Sequence, residues 1–172
     1  MYDLMVLAHS GQMRKDEVTP YYEHPKRVRR ILVEMGTRDR VLLDAALLHD
    51  VIEDGPLNDP SIDWATRVLE VGGAEVLDLV MWVTNTAWTD PKPKRRLRKM
   101  WDVEKLGRAP RDAQTLKLAD RLANLHDATD LDPDFRALYL EETRELLEAL
   151  RIADYRIHGM LDKRVREFTI LR

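Results

Sequence analysis

The chain has 172 residues, enough for one domain with a sizeable core, and its 44% apolar and 34% charged residues are a globular mixture. A formal net charge of −3 argues against nucleic acid as a bulk partner, and the absence of cysteine excludes disulfides and thiolate metal sites. No apolar run approaches membrane-spanning length and the N-terminus lacks a basic-then-apolar leader pattern, so a cytoplasmic setting without a membrane is expected.

Runs of helical period dominate and clean strand-like alternation is scarce, which predicts an all-α fold. Tyr2 to Gln12 reads as a first helix with Leu4, Met5, Leu7 and Ala8 inward, closed by Arg14-Lys15 and a polar connector, Asp16 to Thr19. Pro25 suits the first position of a second helix, which places His24 at its start. Val28, Ile31, Leu32 and Met35 continue that helix and Gly36 ends it. Arg38 to Asp54 reads as one helix with Val41, Leu42, Ala45, Leu48 and Ile52 as its core stripe, stopped by Gly55-Pro56. A polar loop, Gly55 to Pro60, leads to Ser61-Ile62-Asp63, which caps a helix running to Gly72-Gly73. Ala74 to Thr84 is strongly apolar, Asn85 to Pro93 reads as a loop, and Lys94 to Lys105 is a basic helix. Asp112 to about Asp127 is the next helix. After a turn over Asp130 to Asp134, Asp132-Pro133 opens a long amphipathic helix through Leu150, and a last helix covers roughly Met160 to Ile170. No repeat, low-complexity tract or linker divides the chain, so a single domain over 1–172 is expected.

Two stretches carry chemistry. In Ala45 to Pro56, apolar residues surround His49-Asp50, and Glu53-Asp54 follow one helical turn later. Ionisable groups on a largely buried helix are expensive unless paired or metal-bound. An imidazole beside a carboxylate can share one cation, and the acidic pair would lie close enough to work on water there. In Leu116 to Leu125, Leu118, Leu122 and Leu125 form a packing stripe. Lys117, Asp120, Asn124 and Asp127 form a polar one, suited to a metal and an anionic ligand. Each stretch alone fits a paired core histidine or a solvated face as well. Together, His24, His49, Asp50 and Asp120 supply two imidazoles and two carboxylates, compatible with one Mn²⁺, Fe²⁺, Zn²⁺ or Mg²⁺.

The order His24, His49-Asp50, Asp120 on an all-α chain resembles the HD-domain metal-dependent phosphohydrolases, a helical-bundle family. Ala8 to Lys15, Pro20 to Pro25, Ala45 to Asp54 and Lys117 to Leu125 resemble, in that order, motifs of the RelA/SpoT-type hydrolase domain, most closely the small hydrolase-only members. That family removes the 3′-pyrophosphate of guanosine tetra- and pentaphosphate, typically with Mn²⁺. The resemblance implies that His24, His49, Asp50 and Asp120 bind the metal and that Glu53 and Asp54 are catalytic, working on the attacking water. It also implies that Arg14, Lys15, Lys117 and Asn124 hold the nucleotide and its phosphates. The sequence departs from the family pattern at Gly55, where the acidic pair is usually followed by Thr, and at Ala123, where His or Tyr is common before the Asn. Val83-Thr84-Asn85 matches only loosely.

The run Pro91 to Lys99 is the strongest local charge feature and suits steering of a polyphosphate slightly better than a plain solvated helix start. His9 stands near Arg14-Lys15 with no role assigned, His126 and His158 suit packing, and the four Trp residues suit core or loop anchors. The alternatives are an HD enzyme for another nucleotide (a nucleoside monophosphate, another pyrophosphorylated nucleotide or NADPH) and a non-catalytic nucleotide sensor. Arg14-Lys15 weigh against the monophosphate, and the intact Glu53-Asp54 pair weighs against the sensor.

Overall fold

In the computed structural model the described residues are 1–85, 93–126 and 132–170. The loop expected over 85–93 and the turn over 130–134 lie partly outside them, and Trp88, Pro91, Lys92 and Asp127 wholly so. The described residues are helical and contain no strand, only an isolated antiparallel bridge between Met13 and Pro20. The all-α expectation is therefore met. No described helix is long and apolar enough to cross a membrane.

The chain divides into two compact units, Met1–Thr84 and Asn85–Arg172. The first contains α1 (Tyr2–Ala8), α2 (Glu23–Glu34), α3 (Arg40–Leu48), α4 (Val51–Asn58), α5 (Trp64–Gly72) and α6 (Ala74–Val83). Its centre is α3, which packs against α1, α2, α5 and α6. That placement follows from composition, because Ala45, Ala46, Leu47 and Leu48 fill its second half and all are buried. The Asp39 carboxylate accepts the Val41 and Leu42 N–H groups and starts α3, while Asp63 does the same for Thr66 in α5.

Three boundaries in the first unit differ from the sequence expectation. First, α1 ends at Ala8, and residues 9–11 form a turn in which Gln12 N–H reaches the His9 carbonyl and Gly11 has φ +74°. Second, the helix expected over Arg38 to Asp54 is two helices, broken at His49-Asp50. Third, Gly55-Pro56 does not end α4, which runs on to Asn58. Proline removes its own N–H and crowds the carbonyl four residues back, so the end of α4 depends on other bonds. The last turn is held by Asp59 N–H on the Gly55 carbonyl (2.9 Å) and by Asn58 Nδ2 on the Leu7 carbonyl (2.8 Å).

The second unit contains α7 (Arg95–Gly107), α8 (Arg111–His126), α9 (Pro133–Ala149) and α10 (Tyr155–Ile170). Here α8 is the buried element, with Leu116, Leu118, Leu122 and Leu125 inside, and α10 packs on both α8 and α9. Asp132 caps α9 through the Asp134 and Phe135 N–H groups. Helix α10 starts at Tyr155 instead of Met160, because the Asp154 carboxylate accepts the Arg156 N–H (2.9 Å) and binds its guanidinium. Those charge-assisted contacts hold the Asp154 carboxyl down at about 2.

Candidate active site

The break between α3 and α4 places His49 and Asp50 against the start of α2 and the connector before it, beside His24 and Tyr21. His49 Nδ1–H donates to the Ala46 carbonyl at 2.9 Å, which leaves the lone pair on Nε2. That nitrogen lies 3.0 Å from Asp50 Oδ2, and His24 Nε2 lies 3.7 Å from the same oxygen. The His24 and His49 rings are 5.2 Å apart, and both residues are buried. Asp50 precedes α4 where an aspartate would ordinarily cap the helix, yet it makes no side-chain cap bond. Its Oδ2 instead accepts the Tyr21 hydroxyl at 2.9 Å. Two imidazoles and a carboxylate oxygen turned toward one another form a donor set that fits a divalent cation.

Next to it, Asp54 points inward from α4 while Glu53 is on the exposed face. Gln12 Nε2 donates to Asp54 Oδ2 at 3.0 Å, and His9 Nδ1–H donates to Gln12 Oε1 at 2.8 Å. Burial, then the charge of Asp50, push the Asp54 carboxyl up to about 6, with the Gln12 bond opposing them. Burial also lowers the His9 imidazole, so His9 is neutral near pH 7. Its ring stacks obliquely on Tyr21, with centroids 4.7 Å apart.

Arg14 and Lys15 lie in the connector to His24. The Asp16 carboxylate accepts the Val18 and Thr19 N–H groups and the Thr19 hydroxyl, and Arg14 N–H reaches the Thr19 carbonyl at 2.7 Å. This tight loop sets the Arg14 guanidinium over the Tyr21 ring, 5.4 Å from its centroid. Lys15 is exposed.

In the second unit, α8 aligns Lys117, Asp120 and Asn124 as the 3-4 spacing requires. Lys117 Nζ meets Asp120 Oδ2 at 2.9 Å and Asn124 Nδ2 meets Oδ1 at 2.7 Å, so both oxygens of a buried carboxylate are held.

A family model described as HD domain matches residues 2–152. This chain belongs to the HD-domain family. Its sequence is 42% identical over 134 residues to the human guanosine-3′,5′-bis(diphosphate) 3′-pyrophosphohydrolase MESH1, covering 77% of this chain and 69% of the relative. The Xenopus tropicalis MESH1 is 35% identical over 161 residues, covering 90% of this chain and 84% of that protein. A solved structure of a metazoan orthologue of SpoT, described as hydrolysing ppGpp and playing a role in starvation responses, superposes with a TM-score of 0.81. It is 31% identical and covers 96% of this chain and 92% of its own.

Three residues of this HD-domain chain had no role assigned from sequence: His9, Gln12 and Tyr21. The available signal was positional. His9 and Gln12 are three apart just after the first helix, and Tyr21 precedes His24 by three, spacings that bring side chains together across a turn.

Three cations of the basic run are engaged in ion pairs within the second unit. Arg95 binds Glu142 through two bonds of 2.8 Å, Arg96 pairs with Glu145, and Lys99 pairs with Asp102 at 3.1 Å. These three cations fasten α7 to α9 or to itself. His158 packs as expected, with Nε2–H on the Leu147 carbonyl at 2.9 Å. Trp64 is a buried anchor whose Nε1–H reaches the Asp59 carbonyl.

Proposed function

We propose that this HD-domain chain hydrolyses the 3′-pyrophosphate of guanosine tetra- and pentaphosphate, releasing GDP or GTP and pyrophosphate, with one divalent cation, Mn²⁺ in the first instance. The observation that carries the reading is the gathering of His24, His49 and Asp50, with the inward Asp54 one helical turn beyond. The named activity of the MESH1 relatives supports it. Following the motif order, Asp120 is the fourth ligand, and the whole of 1–172 acts as one HD domain. When bound, such a cation polarises a phosphoryl oxygen and makes water more acidic.

The chain's own residues do the rest. An Asp54 oxygen takes a proton from the attacking water as the water oxygen bonds to phosphorus, and the bond to the ribose 3′-oxygen breaks, that oxygen taking up a proton from solvent to become the free hydroxyl. A carboxyl held near 6 is ionised at neutral pH and still basic enough for this task. Glu53, on the open face of α4, shares the handling of that water. The Tyr21 hydroxyl fixes Asp50 Oδ2, so the carboxylate is oriented in advance. Arg14, Lys15, Lys117 and Asn124 hold the phosphates and the nucleoside, Arg14 with its guanidinium supported on Tyr21.

The test is a nucleotide panel with Mn²⁺, Fe²⁺, Zn²⁺ and Mg²⁺ in turn. Turnover of ppGpp far above that of GMP, dAMP or NADPH is expected. A charge-assisted phosphate contact is worth roughly 1.5–3 kcal/mol, so Arg14→Ala should raise KM for ppGpp about ten- to a hundredfold, and more than for any monophosphate. Equal activity on a monophosphate, or none on ppGpp, would leave only the general phosphohydrolase reading.

A further inference from the structure

We infer that Gln12 is a positioning residue for hydrolysis, holding one Asp54 oxygen in its working orientation at the end of a His9–Gln12–Asp54 hydrogen-bond chain. The inference rests on the reading of Asp54 as the carboxylate that acts on water.

Gln12 and Asp54 are 42 residues apart in sequence and meet at 3.0 Å. The donors and acceptors allow only one arrangement. An ionised carboxylate accepts and cannot donate, so the amide must turn its NH₂ to Asp54 and its Oε1 to His9. His9 Nδ1 must then carry the proton. A flipped amide would oppose Oε1 to a carboxylate and NH₂ to an N–H. His9, 1% exposed and clamped against Tyr21, therefore acts as a latch on the amide. His9 Nδ1 is itself 3.8 Å from Asp54 Oδ2, too far for a hydrogen bond, so the connection runs through Gln12.

The Gln12 backbone is held on both sides. Its N–H donates to the His9 carbonyl at 3.1 Å, and its carbonyl accepts Tyr21 N–H at 2.9 Å. Gly11, with φ +74°, supplies the left-handed step that turns the chain back so that the side chain faces α4. The chain has thus spent local structure on placing one neutral amide beside one carboxylate. Asp54 has two rotatable side-chain bonds, and a carboxylate that swings away from the water loses the alignment on which proton transfer depends.

The experiment uses the full chain with ppGpp and the activating divalent ion. Gln12→Ala should lower kcat about ten- to a hundredfold while KM and bound metal per chain stay within about twofold of wild type. Gln12→Glu has nearly the same size but no N–H for Asp54, and it should not restore kcat; a role in shape alone predicts that it does. In an Asp54→Asn background Gln12→Ala should cause no further loss, because it acts through Asp54. Gln12→Met, which keeps the bulk without the amide, gives the same reading if Gln12→Ala does not fold. Wild-type kcat in Gln12→Ala or Gln12→Glu, or losses that multiply in the double variant, would overturn the inference and leave the proposed reaction standing. A wild-type chain inactive on ppGpp with every metal would overturn the reaction itself, and the Gln12 role with it.

Discussion

Gly55 lies flat against the indole of Trp64. A Cβ at Gly55 would come within 2.4 Å of Trp64 Cδ2 and 2.6 Å of Cε2, closer than packed carbon atoms ever approach. The indole is fixed in turn by its N–H bond to the Asp59 carbonyl. This contact explains the departure at the end of the acidic motif, since a threonine after Asp54 has no room. It also couples the packing of α5 to the turn that aims Asp54.

Gly55→Ala should therefore destabilise the protein by about 1–3 kcal/mol, and Gly55→Thr by more, as overpacking of a rigid ring requires. Trp64→Leu in the same chain should recover part of that loss. Gly159 in α10 is the contrast: nothing lies within 4 Å of a Cβ there. Gly159→Ala should stabilise by about 0.5–1 kcal/mol through the helix's lower backbone entropy cost. Thermal or denaturant melts of the four variants check the signs.

The Asp54 carboxyl, raised from 3.8 to about 6 chiefly by burial, makes stability depend on pH. A raised folded-state pKa means that the native chain binds more protons than the unfolded one between those values. Its contribution is complete below about 4 and is lost as pH rises through about 6. In chelator-treated protein, Asp54→Asn should then be more stable than wild type at pH 8, by up to about 3 kcal/mol. The gap should narrow below pH 5. Urea unfolding at the two pH values measures it.

Metal removal should lower stability, because an ion that binds only the native state contributes about 3–4 kcal/mol at 100 to 1,000 times its Kd. His49→Ala and Asp50→Ala should each lose the bound ion and, with it, the Tm shift on adding Mn²⁺. Stoichiometric metal retained by both variants would remove His49 and Asp50 from the ligand set.

In the second unit, the buried Glu142 is held by Arg95 at 2.8 Å, with Arg121 at 3.9 Å and stacked 4.2 Å from the Tyr139 centroid. Arg121 is itself 5% exposed. Glu142→Ala would strand that buried guanidinium and should cost about 3–5 kcal/mol. Exposed pairs such as Arg67–Glu70 should contribute no more than about 1 kcal/mol. Denaturant unfolding of Glu142→Ala beside Glu70→Ala separates the two cases.

Much of this protein is written in short-range pattern. The helical spacing of Leu118, Leu122 and Leu125, the caps at Asp63 and Asp132, and the helical class follow from side chains within a turn or two of each other. The alignment of Lys117, Asp120 and Asn124 follows in the same way. So does the family resemblance, since the order of His24, His49-Asp50 and Asp120 is linear information. The break at His49-Asp50 was not legible, because both residues keep near-helical backbone angles and what separates α3 from α4 is packing. Nor were the contacts of Tyr21 with Asp50, Gln12 with Asp54 and Arg95 with Glu142, at sequence separations of 29, 42 and 47. Periodicity says which face of a helix is apolar. Only the docking of one helix on another decides which polar group is left facing which, and that decided the working partners of Asp54, the reason for Gly55 and the use of the basic run as a fastening for α9.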